Sequence, residues 1–188
     1  MNPMPEIIPM LKQLRLSGIL DSLESRNRQA IDNQLSYMDF LATLVSDEIA
    51  RRTQKRFASA LRRANFRNQK TLEEFDFTFN PNINRALITD LASCRFIEEK
   101  VPILIVGPCG TGKSHIAISL SVSAIQAGHT VFYISAFDLA QEMAEAESTG
   151  TRKELVGKLM QNDLLVLEDL GMRHLPPTAA EDLLEVRS

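Results

Sequence analysis

Residues 101–114 read VPILIVGPCGTGKS, and this stretch decides the fold. Its first six residues are apolar and rich in β-branched side chains, which suits a short buried parallel strand over 101–106. Gly107, four further residues, and then Gly112, Lys113 and Ser114 follow. That is the spacing of a phosphate-binding loop set between a strand and a helix. The glycines let the backbone curl until several N–H groups point at one place. A helix expected from residue 114 adds its positive dipole end. Lys113 is placed to reach the β- and γ-phosphates, and the Ser114 hydroxyl to take a coordination position on Mg²⁺. The candidate cradle is Gly107, Pro108, Cys109, Gly110, Thr111, Gly112, Lys113 and Ser114, with His115 adjoining, and its expected ligands are ATP and Mg²⁺. The competing interpretation is a glycine-rich turn that holds nothing. Cys109 is either a redox-sensitive thiol beside a helix N-terminus or a small space-filler.

Downstream the pattern alternates. Residues 114–127 read as a helix stopped by Gly128, and TVFYIS (130–135) as a second strand. Residues 137–146 and 151–161 read as helices, and LLVLE (164–168) as a third strand. Strands alternating with helices indicate an α/β fold with a parallel sheet. LLVLEDLG (164–171) is apolar and then ends in two acids. Beside a phosphate loop, the first acid at such a strand end binds Mg²⁺ directly or through water. The next can orient or deprotonate an attacking water. Glu168 takes the metal role and Asp169 the base role. The usual first acid is Asp; Glu168 is one methylene longer, which changes the water arrangement around the ion. The competing interpretation is a strand that reaches solvent and ends in charge.

Upstream, Ile7, Leu11, Leu14, Ile19, Leu20 and Leu23 recur at helical spacing, with Gly18 interrupting a turn. Residues 37–66 carry a longer helical pattern, which Ser36 can cap with Asp39 three residues on. The three alternating phenylalanines Phe75, Phe77 and Phe79 read as an extended linker, followed by a helix over about 82–94. These signals divide the chain into a helical domain, 1–69, and an α/β core, 70–188.

The segment 51–67 (RRTQKRFASALRRANFR) holds Arg51, Arg52, Lys55, Arg56, Arg62, Arg63 and Arg67 and no acid. Cations at this density neutralise several phosphates and give salt-dependent DNA binding with little sequence preference. A solvated basic face that pairs with acidic helices of the same chain is the plainer alternative.

The bulk properties fit. The chain has 188 residues, 44% of them hydrophobic and 24% charged, so a buried core is expected and wholesale disorder is not. The net charge of -3 says nothing about partners by itself. Two cysteines make no disulfide framework. The N-terminus lacks the order of a signal peptide, and no apolar run approaches the roughly 18 residues of a membrane span. A cytoplasmic protein is expected.

Residues 51–120, from RRTQKRF through KTLEEFDF (70–77) and ASCRFIE (92–98) to GPCGTGKSHIAISL, resemble the IstB-like ATPases that assist transposition of bacterial insertion sequences. LLVLEDLG and the pair Leu175-Pro176 fit as well. That family consists of AAA+ proteins related to the helicase loader DnaC. The resemblance implies a P-loop NTPase core of AAA+ type preceded by a small all-α DNA-binding domain. It implies assembly into a homo-oligomer along DNA, partnership with a transposase, Walker A at Gly107 to Ser114, and Walker B acids at Glu168 and Asp169. It places the seven cations in the family's DNA-contacting region.

Such relatives continue well past their Walker B strand, whereas only residues 170–188 follow Asp169 here. The core is therefore expected to be incomplete at its C-terminus. In this fold class a further strand lies between the phosphate-loop strand and the Walker B strand. Strands 101–106 and 164–168 would have to pair directly, pair with another chain, or remain marginal. An arginine finger is also missing, so ATP binding is expected with weak or absent hydrolysis. Two other functions remain open: a DnaC-like helicase loader, and a remnant that binds ATP or DNA without turnover. A helix beginning near Thr178 is expected at the end of the chain.

Overall fold

A computed structural model describes residues 4–170; the helix expected near Thr178 and the pair Leu175-Pro176 lie outside them. The chain divides into two compact units, Met1–Ala58 and Ser59–Ser188, with the division falling inside one long helix.

The first unit is built from α1 (Met4–Gln13), α2 (Ser17–Asp32) and the start of α3 (Tyr37–Arg63). Of the periodic apolar residues, Ile19, Leu23 and Leu44 are buried, with Leu11, Leu16 and Phe40 packed on them, whereas Ile7, Leu14, Leu41, Val45 and Ile49 are exposed. Ser36 caps α3 as its sequence suggests, its hydroxyl accepting from the Asp39 N–H at 3.2 Å and donating to the Asp39 carboxylate at 2.6 Å.

Gly18 does more than interrupt a turn. It lies in the first turn of α2 against α3, and a Cβ there would sit 2.6 Å from the Glu48 Cα. The Glu48 carboxylate accepts from the Gly18 N–H at 2.6 Å and the Ile19 N–H at 3.2 Å. A carboxylate on α3 thus serves amides that α2 cannot satisfy itself. Glu48 also accepts from Arg52 at 2.7 Å, which leads the backbone bonds in holding its pKa below the usual carboxylate range. Nearby, the Arg26 guanidinium grips Asp47 through two bonds of 2.8 Å.

In the second unit, β1 (Val131–Ser135) and β2 (Leu164–Glu168) pair in parallel, Val131 with Leu164 through Ser135 with Glu168. The register is pinned at the entrance. Asp163 accepts from the Thr130 N–H at 2.7 Å and its hydroxyl at 2.8 Å, while the Asp163 N–H donates to that hydroxyl at 2.9 Å. Phe132, Ile134, Leu165 and Leu167 face α7 (Ala136–Thr149) and α8 (Arg152–Met160), where Leu139, Met143 and Leu159 complete a core. The helix α6 (Lys113–Ala127) packs on both strands and ends at Gly128, whose φ of 102° closes the helix as expected. Tyr133 donates its backbone N–H to the Ala64 carbonyl at 3.0 Å, so the chain leaving α3 runs beside β1.

Three expectations need correction. Residues 101–106 are not a strand; no strand lies beside them among the described residues, and Leu104 and Val106 are 78% and 79% exposed. A parallel strand is held by its ladder, and apolar β-branched residues alone do not supply one. Of the three fates open to this stretch, direct pairing with 164–168 is not the one adopted. The helix expected over 82–94 is shorter, α4 (Arg85–Leu91), and a separate helix, α5 (Arg95–Glu98), begins after Cys94 takes a φ of 63°. The segment 70–79 is no loose linker: Leu72, Phe75 and Phe77 pack with Ile83, Leu91 and Ile105 around Ile88, Ile116 and Leu120, and only Phe79 among the three phenylalanines is exposed.

The Arg26–Asp47 pair predicts acid sensitivity. Arg26, and then the Ser22 hydroxyl, bring the Asp47 carboxyl from 3.8 down to about 2. Because the folded value is the lower one, the stabilisation is complete above the unfolded value and is lost as pH falls toward the folded one. The urea midpoint of the wild type should exceed that of Asp47→Asn at about pH 6, and the difference should vanish by about pH 2. A gap that persists at low pH would show that the pair contributes through packing. Separately, Gly18→Ala should cost roughly 1–3 kcal/mol by overpacking, read from the same urea curves.

Candidate functional site

Phosphate-loop geometry follows from two glycines and one helix start. Gly110 and Gly112 have φ of 77° and 89°, a region costly for a side-chain-bearing residue. Gly112 is the N-cap of α6, and Lys113 its first residue. The first-turn amides of α6 therefore have no intrahelical partner. Inside the loop, the Pro108 carbonyl accepts from Lys113 Nζ at 2.7 Å and from the Thr111 hydroxyl at 2.9 Å. Lys113 is thus folded back across the loop and held by a neutral acceptor that an anion can replace. Ser114 is exposed in the first turn, and Cys109 is an exposed free thiol.

His115 points elsewhere. Its Nε2 lies 2.9 Å from the Thr71 carbonyl oxygen, which can only accept, so Nε2 carries the proton. The Phe75 ring meets the imidazole edge to face, centroids 5.0 Å apart. Phe75 also fills the space beside Gly112, where a Cβ would come within 2.7 Å of the ring. These contacts escape a reading by motif. Their one sequence signal is the density of phenylalanine in 75–79, more apolar surface than a solvated linker carries.

Glu168 ends β2 opposite Ser135, and Asp169 follows at a φ of 56°, a strained value for a residue with a side chain. By the alternation of the pleat, Glu168 shares a face of the sheet with Tyr133. The Tyr133 side chain is buried, and its hydroxyl has no hydrogen-bond partner of ordinary geometry among the described residues. Burial first, then the Glu168 carboxylate, push its pKa above the usual phenol range. Ser135 caps α7 by accepting from the Asp138 N–H at 3.0 Å, which fixes the turn that follows β1. Among the described residues no three His, Cys, Asp or Glu side chains cluster as a protein-only metal cage. Ser114 and Glu168 each carry an oxygen donor of the kind Mg²⁺ accepts.

The seven cations do not form one free face. Arg51 pairs with Asp21, Arg52 with Glu48 at 2.7 Å, and Lys55 donates to the Ser17 hydroxyl at 3.1 Å. Arg67 lies 3.6 Å from Asp138, and its neighbour Phe66 meets Tyr133 edge to face at 5.6 Å. Arg56, Arg62 and Arg63 are exposed and form no ion pair among the described residues. The plainer alternative, pairing within the chain, therefore describes Arg51, Arg52 and Arg67.

A parallel α/β sheet, a glycine loop opening onto a buried helix, and an acid pair ending the neighbouring strand define a P-loop protein. More narrowly, the chain belongs to the family described as IstB-like ATP binding protein, whose model matches residues 9–188. It is 33% identical over 184 residues to a Mycobacterium tuberculosis protein named for ATP binding in an insertion sequence, covering 98% of this chain and 73% of that one. It is also 33% identical over 168 residues to a Pseudomonas aeruginosa protein named for ATP binding in insertion sequence IS21, covering 89% of this chain and 63% of that one. A Geobacillus stearothermophilus protein similarly named for insertion sequence IS5376 is 28% identical over 174 residues, with 93% and 69% covered. The chain thus spans between about three-fifths and three-quarters of the length of these relatives.

Proposed function

We propose that the chain binds Mg·ATP at 107–114 and serves as the ATP-dependent, DNA-associated helper of an insertion-sequence transposase. The carrying observation is the loop itself: left-handed glycines at 110 and 112 lead into a helix whose first-turn amides are unsatisfied by the helix, with Lys113 parked across them. On binding, Lys113 leaves the Pro108 carbonyl for the triphosphate. The loop amides hold the phosphate oxygens. Ser114 and Glu168 would hold Mg²⁺, which would supply charge neutralisation, and Asp169 would orient a water, with turnover by this chain weak or absent. His115 supports the loop from its outer side.

Membership in the family and the relatives' names support the insertion-sequence setting and the transposase partnership. None of the described helices is long and apolar enough to cross a membrane, which is compatible with action in the cytoplasm. DNA contact rests on Arg56, Arg62 and Arg63, the arginines of the segment without acidic partners among the described residues. A homo-oligomer along DNA would bring such cations to successive phosphates.

Lys113→Ala should abolish Mg·ATP binding measured by titration calorimetry, while its thermal midpoint without ligand stays near that of the wild type. Normal affinity in this variant would refute the site. Replacing Arg56, Arg62 and Arg63 together by Gln should lower the slope of log K against log salt for duplex DNA by roughly 2 to 3. An unchanged slope would place the DNA surface elsewhere.

A further inference from the structure

The phosphate loop has an unusual set of supports. Its downstream side is firm, because α6 packs on both strands of the sheet. Its upstream side is not, because residues 101–106 have no strand beside them among the described residues. What braces the loop instead is the segment 71–77, from outside the sheet. Phe75 lies against Gly112 so closely that a Cβ at 112 would come within 2.7 Å of one ring carbon and 3.0 Å of the next. The same ring meets His115 edge to face with an interplanar angle of 88°. His115 in turn donates to the Thr71 carbonyl at 2.9 Å. Phe77 meets Phe75 with centroids 4.8 Å apart, and both rest on Ile116 and Leu120 of α6. The segment has no helix or strand of its own; besides its own turn bonds and its packing on Ile88, it is held by these contacts to the loop and to α6.

We propose that Thr71–Phe77 is a nucleotide-responsive strap and that Phe75 is the positioning residue coupling it to the phosphate loop. This rests on the reading of 107–114 as the triphosphate site. Gly112 must keep its left-handed backbone for the loop amides to converge, and Phe75 fills the space on the side of Gly112 where a Cβ would stand. Triphosphate fixes the loop, and the fixed loop holds the ring, the imidazole and, through Thr71, the strap. Linkage makes the effect reciprocal: a strap that is released weakens triphosphate binding by the same factor by which triphosphate tightens the strap. The signal enters through phosphate and does not require the base.

The test is hydrogen exchange on the intact 188-residue chain, free and with saturating Mg·ATP or Mg·tripolyphosphate, alongside calorimetric titration. Both ligands should slow amide exchange over 71–78 by about tenfold, and Phe75→Leu should lose that protection and raise the Kd for Mg·ATP by a similar factor. A purely structural Phe75 would lower the urea midpoint of the variant while leaving ligand-dependent protection intact, and that result overturns the proposal. Binding heat without protection at 71–78 overturns it too. Protection by Mg·ATP alone also overturns it, since the base would then be the contact. Absence of any heat refutes the triphosphate site itself, and with it the strap. Should Phe75→Leu fail to fold, His115→Ala, which removes both the bond to Thr71 and the imidazole beside Phe75, is judged by the same two readouts.

Discussion

The first-turn amides of α6 face away from any intrahelical acceptor, and the second unit is arranged around that deficit. A helix start of this kind needs an anion, water or a capping side chain. Gly112 supplies no side chain, and its φ of 89° turns the preceding loop back over the amides. Lys113 adds a further donor beside them, lying across the loop onto the Pro108 carbonyl. A charged donor on a neutral acceptor is a weak commitment compared with the charge-assisted bonds a phosphate offers. The ligand class follows from that imbalance.

A second constraint is the obligation of β backbone to find partners. The pair β1–β2 meets it with a five-residue parallel register pinned by Thr130 and Asp163, and the Ala64 carbonyl takes one further N–H. Residues 101–106 carry comparable β-branched, apolar sequence, yet they form no strand: Leu104 and Val106 are exposed, while Ile105 packs on the cluster around Ile88, Ile116 and Leu120. The difference is supply of a neighbour. Consequently the loop that follows 106 is positioned from α6 and from the strap. Sheet geometry contributes at the Glu168 end, where Tyr133 is buried beside the acid.

Charge is handled in a similarly local way. The basic segment looks uniform in one dimension, but its cations have separate fates. Arg51 and Arg52 fasten helices of the first unit through Asp21 and Glu48, and Arg67 sits by Asp138 at the start of α7. Surface ion pairs of this sort contribute little stability each. Their effect is to take guanidinium groups out of the free pool, leaving Arg56, Arg62 and Arg63 as the arginines without an ion pair among the described residues, beside Lys55, which bonds only to the Ser17 hydroxyl.

Much of this protein was determined by local sequence. The spacing from Gly107 to Ser114 specified the loop, because glycine accepts those backbone angles without a side-chain clash and a following helix presents those amides. The periodicity of Ile19, Leu23 and Leu44 specified the first core, and Ser36 with Asp39 specified a helix start. Each of these was legible from residues a few positions apart, although the core they build joins residues of different helices. What the tertiary structure decided depends on partners distant in the chain. It left 101–106 without a ladder, divided the cations between pairing and exposure, and laid Phe75 on Gly112. No local pattern carries such information, because a hydrogen-bond partner or a packing surface supplied from dozens of residues away exists only once the chain has folded.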